Sequence, residues 1–425
     1  MVERKLPKLD AAGSIPVSRS MFCCRIRSSL AMKNNPHNKF QDNKRTTIFF
    51  RFSLHPSSSI LHSLIFILMV LFFGCSSVVK PLSPQDTPKD HYQTGMKLIG
   101  TKDASKAETE FLRAIELDKK SPLGYAGLAA LEMSRSNYKS SINYANKALR
   151  YDRKYTDAGI IKGRAFVTHG KKEWAVRAKL AFQNVLDVDP QNEEALYYMG
   201  EVCLKVFQFK EAQGYYAQAS ERKGGFASRA DERIRLTIRI LAIDQISDSG
   251  KRISLSDQLT RSELCRLLIN ELKLKDLLKI RQVHKYESAY LDSNPRRKIP
   301  SDVAKRRDRE DILDIIALHI PDLDCYPDGK FYPSKIVTRA EFAMVVQDII
   351  VMLDDDLTLP AKYSDSESPF PDIRPDYFAY NAVMVGVEEG IMKADPKTGQ
   401  FNTDSPVSGI DGIEMTRALA EKNKK

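Results

Sequence analysis

Small residues recur in this chain at a fixed interval. Gly95, Ala129, Gly163 and Gly200 are 34, 34 and 37 residues apart, and Ala114, Ala148, Val185 and Ala219 are 34, 37 and 34 apart. A single three-residue insertion between Gly163 and Val185 accounts for both series. A period of this size belongs to repeat architectures, where each unit is a supersecondary element that cannot bury its apolar face alone. Here the small residues let paired helices approach closely, and Tyr or Phe fills the gap beside them. Stacked neighbours then bury a continuous core.

The residues around these positions give the repeat its character. Tyr125-x-x-Leu128-Ala129 and Leu196-x-x-Met199-Gly200 fall in a first helix. Ala107-x-x-x-Phe111-x-x-Ala114 and Ala212-x-x-x-Tyr216-x-x-Ala219 fall in a second, and Pro190 follows a pair. The segment from about 88 to 226 resembles four tetratricopeptide repeats. It departs from them at Thr94 and Lys162, where Leu is usual, and at Lys119 and Arg153, where Pro is usual. The resemblance implies a concave groove that binds a peptide or protein. Its pattern places Tyr92, Met96, Ala126, Ala130, Ile160, Arg164, Tyr197 and Glu201 along that groove; solenoid packing or neutral surface is the alternative for each. Cys203 falls at a helix-packing position and reads as inert core.

A second repeat occupies the C-terminal third. Ile253, Phe331 and Phe401 each precede a hydroxyl residue by seven positions: Thr260, Thr338 and Ser408. Leu259, Val337 and Val407 stand directly before those hydroxyls. Gly329-Lys-Phe331 and Gly399-Gln-Phe401 are shared by two copies, as are Ser301-Asp302-Val303 and Pro371-Asp372-Ile373. Thr260-x-x-Glu263 and Thr338-x-x-Glu341 are capping boxes that open helices, and Ser408-x-x-Asp411 caps in a similar way. Asp328-Gly329 reads as a turn with Gly329 at positive φ. These features resemble three S-layer homology domains, over about 229–273, 299–354 and 370–421. The resemblance implies a helical pseudo-threefold prism.

Arg261 and Arg339 follow the caps directly. A cation in the first turn faces the positive end of the helix dipole and costs a few tenths to about 1 kcal/mol. An anion at the helix mouth would reverse that sign, because amides, dipole and guanidinium would all point at it. The resemblance implies that the arginine contacts an acidic cell-wall glycan, with Thr260, Thr338, Glu263, Glu341, Gly329 and Tyr332 around it. A salt bridge to a neighbouring acid, such as one of Asp354–Asp356, is the other open reading. Phe331 is expected in the core. The third copy has Gly409 at the arginine position and is expected to be structural. The stretch Arg229–Ser247 between the arrays is expected to be a helix that caps the solenoid, leads the first S-layer homology copy and couples the two rigidly.

The formal charge is +11, but residues 1–74 hold 11 Lys/Arg and 3 Asp/Glu. The basic balance therefore belongs mostly to the leader and gives no argument for nucleic-acid binding. The apolar run Leu64–Gly74 is too short for a bilayer span of roughly 20 residues and reads as a signal-peptide core. Gly74-Cys75 resembles the lipobox of bacterial lipoproteins, departing at Phe72. The resemblance implies cleavage before Cys75, a diacylglycerol on its sulfur and, since Ser76 follows, the outer membrane. An ordinary signal peptide or a buried strand are the alternatives. Residues 75–87 read as a polar, Pro-rich tether. Residues 1–45 fit no targeting pattern, and we expect no fold up to about residue 50, where the true start of the protein is expected.

The six cysteines form no C-x-x-C, and no His cluster accompanies them, so neither a disulfide framework nor a metal site is expected. No G-x-S-x-G, Walker, G-x-G-x-x-G or H-E-x-x-H pattern occurs, and no cofactor is expected. The basic run Ser293–Asp311 reads as a solvated loop leading into a helix. The chain is thus expected to be mainly α, a tetratricopeptide solenoid followed by a helical S-layer homology module, and not an enzyme. Its expected role is an envelope scaffold holding a protein partner and peptidoglycan or an acidic polymer. The alternatives are pure protein assembly at the outer membrane, or an enzyme on cell-wall glycan, which requires a carboxylate pair in a cleft.

Overall fold

The structure is a computed structural model, and it describes residues 81–280 and 299–423. The leader, Cys75, most of the tether and part of the basic run lie outside the described residues. All described residues belong to one compact unit, Ser77–Lys425.

Four helix pairs come first. They are α1 (Pro88–Gly100) with α2 (Ala104–Leu117), α3 (Pro122–Ser134) with α4 (Tyr138–Tyr151), α5 (Thr156–His169) with α6 (Trp174–Leu186), and α7 (Glu193–Lys205) with α8 (Phe209–Glu221). Thr87, Ser121 and Asn192 cap α1, α3 and α7, each accepting from an amide of the first turn. Pro88 and Pro122 sit where the missing N–H costs nothing.

The period has a direct packing cause. The ring of Phe111 lies between α1 and α3, so a Cβ added at Gly95 or Gly127 would meet it at 2.4 or 2.0 Å. Gly163 meets Phe182 and Gly200 meets Tyr216 in the same way, at 2.5 and 2.6 Å. In the second pair Ala129 and Ala145, both fully buried, take the place of glycine and ring. Fully burying one such ring stabilises by about 1.5–3 kcal/mol. The three inserted residues are spread around the α5–α6 turn. Helix α5 runs one residue further past Gly163 than the other first helices do past their small residues. The turn Gly170–Glu173, with both ends at positive φ, is one residue longer than the three-residue turns of the other pairs, and α6 begins one residue further ahead of its ring at Phe182.

Helix α9 (Ala227–Leu241) follows the pairs, in agreement with the helical expectation. Its buried face is Ala230, Thr237 and Ile240, while Ile238 and Leu241 face solvent. Arg233 Nε donates to Glu201 on α7 at 2.9 Å. Further along, Arg239 reaches Asp411 and Glu414 on the last helix, at 2.5 and 2.7 Å. Ile410 joins the core cluster that contains Ile240. One helix therefore closes the solenoid and holds the C-terminal module.

That module contains α10 (Asp248–Ile253), α11 (Arg261–Asn270), α12 (Leu274–Ile280), α13 (Arg309–Leu318), α14 (Arg339–Asp354), α15 (Tyr380–Glu388) and α16 (Gly409–Lys422). Thr260, Thr338 and Ser408 cap α11, α14 and α16, the first two as full capping boxes. The residues before the caps form a closed ring. The Val337 amide donates to Leu259 O at 2.8 Å, Leu259 to Val407 O at 2.7 Å, and Val407 to Val337 O at 3.0 Å. All three side chains are buried in one core with Ile253, Phe331 and Phe401. Asp302 accepts from the amides of Phe331 and Tyr332, and Asp372 from those of Phe401 and Asn402. These bonds let Tyr332 and Asn402 hold φ of 55° and 60°.

One expectation needs correction at the N-terminal side. The segment read as tether is anchored over its last residues. Asp86 accepts from the Leu82 amide at 2.6 Å and pairs with Arg113 at 2.6 Å. It also meets His91 Nε2 at 2.7 Å, and His91 Nδ1 meets Glu110 at 2.5 Å. Arg113 and the amide hold the Asp86 carboxyl well below the usual carboxylate range. Composition showed a polar stretch but not that one acid would find a cation on α2.

Candidate functional site

The helix mouths of α11 and α14 are closed. The amides of Arg261 and Ser262 donate to Lys335 O and Pro333 O at 2.9 and 3.0 Å. Those of Arg339 and Ala340 donate to Ser405 O and Thr403 O, both at 3.0 Å. Glu263 and Glu341 amides go to their caps. The backbone donors that an external anion would need are taken by the next copy's loop.

The two guanidinium groups are also turned onto that loop. Arg261 is buried, with Nε on Phe331 O at 3.1 Å, Nη1 on Asp322 O at 3.2 Å and Nη2 on Asp324 O at 2.9 Å. Its guanidinium carbon lies 5.0 Å from the Tyr326 ring centre and 4.7 Å from that of Phe331. Arg339 donates to Phe401 O at 2.7 Å and Lys393 O at 2.6 Å, over the Phe401 ring. Burial lowers the Arg339 pKa. Neither the anion nor the acid expected opposite these cations is their partner. Carbonyl dipoles and aromatic faces offset the helix-dipole cost instead. Gly409 has the same position on α16, where the Ile253 carbonyl fills the space an arginine would need.

An open cleft of about 340 Å³ lies beside Arg261. Asp322, Asp324 and Tyr326 line one side, Glu341 and Met344 on α14 the other, and Phe378 the rim, with 72% of its surface exposed. Glu341 is held by Lys335 at 2.7 Å. Behind the cleft the Asp322 amide donates to Asp348 Oδ2 at 3.0 Å. Burial pushes Asp348 up to about 7 and raises Asp322 as well. Tyr332 stands outside this cleft. Its ring is edge-on to Tyr326 at 5.2 Å and its hydroxyl donates to Asp328. Gly329 holds a turn at φ 76°, and Phe331 is fully buried.

On the solenoid, three of the eight groove residues are not on a surface. Ala126, Ile160 and Tyr197 are buried. Tyr197 is covered by Phe226 at 5.2 Å and by the Arg229 guanidinium at 4.7 Å, because α9 packs where the groove would continue. Glu201 is engaged by Arg233 and by the Tyr216 hydroxyl. The face that remains has Tyr92, Met96, Ala130 and Arg164, with Asp157, Glu194 and Tyr198, which the repeat pattern did not single out. The Tyr92 hydroxyl donates to Asp157 at 3.0 Å across two pairs. Burial and the nearby Asp157 raise its pKa. Arg164 pairs with Glu194 at 3.3 Å and stacks on Tyr198. Burial raises the Glu194 carboxyl despite that arginine.

Residues 326–343 and 369–411 match the S-layer homology domain. Over 99 residues the chain is 32% identical to small glutamine-rich tetratricopeptide repeat-containing protein 2 of Mycosarcoma maydis, covering 23% of this chain and 27% of that protein. The chain thus spans about a quarter of the length of that curated relative. Solved structures similar to parts of it include the Arabidopsis OM64 TPR domain, at 21% identity over 27% of this chain and 93% of that one, with TM-score 0.25. YrrB, a TPR protein with an unusual peptide-binding site, matches at 18% identity over 38% and 81%, with TM-score 0.30. A tetratricopeptide repeat protein from Parabacteroides merdae matches at 13% over 80% and 99%, with TM-score 0.29. The chain joins tetratricopeptide-like helix pairs to S-layer homology sequence. S-layer homology domains associate with the cell envelope. Among the described residues, no helix is long and apolar enough to cross a membrane.

Proposed function

We propose that the protein is a non-catalytic scaffold of the bacterial cell envelope, with three S-layer homology copies in its C-terminal module. The module holds a cell-wall glycan in the cleft beside Arg261. The solenoid face around Tyr92, Met96, Ala130 and Arg164 holds a protein. A lipid on Cys75 fixes the whole to the periplasmic face of the outer membrane.

The cleft carries this reading. An exposed aromatic rim at Phe378, the Tyr326 ring and acceptor carboxylates at Asp322 and Asp324 suit sugar hydroxyls and CH faces. Carboxylates on both walls repel an acidic polymer, and the Arg261 N–H groups that could pair with one are already spent on carbonyls. They favour the uncharged hydroxyls of peptidoglycan glycan strands. The role of Arg261 in this reading is to shape the cleft rather than to pair with ligand charge, and Arg339 holds the loop at Lys393 and Phe401.

Retention of the full chain on purified sacculi, with and without their attached acidic polymers, tests it. Retention is expected on both, reduced at least fivefold by Phe378→Ala, a change at a solvent-facing ring. Equal retention of wild type and variant would remove the cleft assignment, and no retention of wild type would leave protein assembly as the role. Mass spectrometry of the mature N-terminus checks the lipid on Cys75.

A further inference from the structure

We propose that the outer side of the solenoid carries a second binding site, for an acidic peptide segment with an apolar side chain. It lies where the 34-residue period breaks. Between α4 and α6, second helices of consecutive pairs, there is a cleft of about 360 Å³. The four-residue turn Gly170–Glu173 forms one end of it and presents Lys171 and Lys172.

The charge of this cleft is one-sided. Lys139 on α4, Lys171 and Lys172 line it together with Arg177, and no carboxylate does. The nearest acid in sequence, Glu173, is held by Arg177 at 3.4 Å. The three lysines have no ion-pair partner among the described residues, and all three are exposed. Other solenoid cations, such as Lys120, Arg153 and Lys205, also stand outside the ion pairs, whereas Arg113 is matched by Asp86, Arg135 by Glu108 and Glu132, and Arg164 by Glu194. What marks this cleft is that four cations and no acid line one recess. Opposite charge approaching such a cleft is attracted at any ionic strength where the Debye length is comparable with its width, roughly 8 Å in physiological salt.

The lining is not merely basic. Phe166 and Trp174 are half-buried there and offer an apolar seat between the cations. Asn143 and Asn146, one turn apart on α4, supply amide donors and acceptors of the kind a peptide backbone pairs with. Val176 and Leu180 are exposed on α6 and extend the apolar surface along the same helix. A concave site with paired amides fits an extended chain that inserts a side chain. A flat lipid surface would meet protruding groups rather than a recess.

Trp174 is the only tryptophan of the chain, so its emission reports on this site directly. The full chain is titrated with a short peptide of alternating Glu and Ala carrying one central Phe. A saturable emission change is expected, weakened by rising salt. The affinity should fall about tenfold in K171E/K172E, whose two positions are exposed and leave the fold intact by circular dichroism. K119E/K120E, the same charge change at two exposed lysines outside the cleft, should bind as wild type does. No emission change, an equal response from K171E/K172E, or an equal loss in K119E/K120E would overturn the proposal. A response to anionic phospholipid vesicles but not to the peptide would overturn it too.

Discussion

A Cβ built on Gly409 would lie 1.7 Å from the carbonyl oxygen of Ile253. The Gly409 amide meanwhile donates to Ser256 O at 2.9 Å. The first copy's loop therefore comes closer to its neighbouring helix mouth than the other two loops do. Gly409→Ala, and equally Gly409→Arg, should destabilise by about 2–4 kcal/mol, the upper range for overpacking against backbone. Urea unfolding midpoints check this. The glycine marks an absence of space, where the sequence pattern suggested the absence of a ligand.

Arg261→Ala leaves one buried and two partly buried carbonyls without this donor and should cost about 2–3 kcal/mol. Arg261→Lys should recover little of it, because one ammonium cannot reach three divergent oxygens. Arg339→Ala, with two carbonyl partners and more exposure, should cost about half as much. Thermal denaturation of the three variants ranks them; a stable Arg261→Ala protein that merely lost glycan would refute the clamp.

Asp348 has a folded-state pKa of about 7 against an ordinary 3.8. The folded protein thus holds a proton that the unfolded chain releases between those values. This contribution favours folding below about pH 4 and is lost as pH rises through 7. Asp348→Asn should therefore raise the melting temperature more at pH 8 than at pH 5, which differential scanning calorimetry at the two values measures.

Gly163→Ala places a methyl 2.5 Å from the Phe182 ring and should destabilise by about 2 kcal/mol. Gly214, inside α8, has nothing within 4 Å of the same methyl. Gly214→Ala should instead stabilise by about 0.5–1 kcal/mol, since glycine is a poor helix former. Opposite signs from one substitution type, read in urea, separate packing glycines from incidental ones.

Much of this architecture was legible because its causes are local and repeated. The spacing of Gly95, Gly163 and Gly200 reports a ring that needs room, and Thr338-x-x-Glu341 reports a cap whose bonds lie within one turn. The three residues preceding the caps were visible as a set, though not the ring they close. What stayed hidden depends on partners far along the chain. Arg261 finds carbonyls more than 60 residues away, and no pattern around it distinguishes that from an anion site. Tyr197 looked like groove lining because the covering residues, Phe226 and Arg229, belong to the helix beyond the repeats. Asp157 and Glu194 escaped notice because they are acids among many, and only superhelical winding brings Asp157 to Tyr92.

The amide ring through Leu259, Val337 and Val407 also sets how this chain can change in evolution. A solenoid has open ends and gains or sheds a helix pair with little disturbance to the rest. A three-membered cycle has no terminus. Duplication would leave a fourth member without a seat, and deletion would strand a donor and an acceptor in the apolar interior. Length variation among descendants of this sequence should accordingly fall ahead of α9.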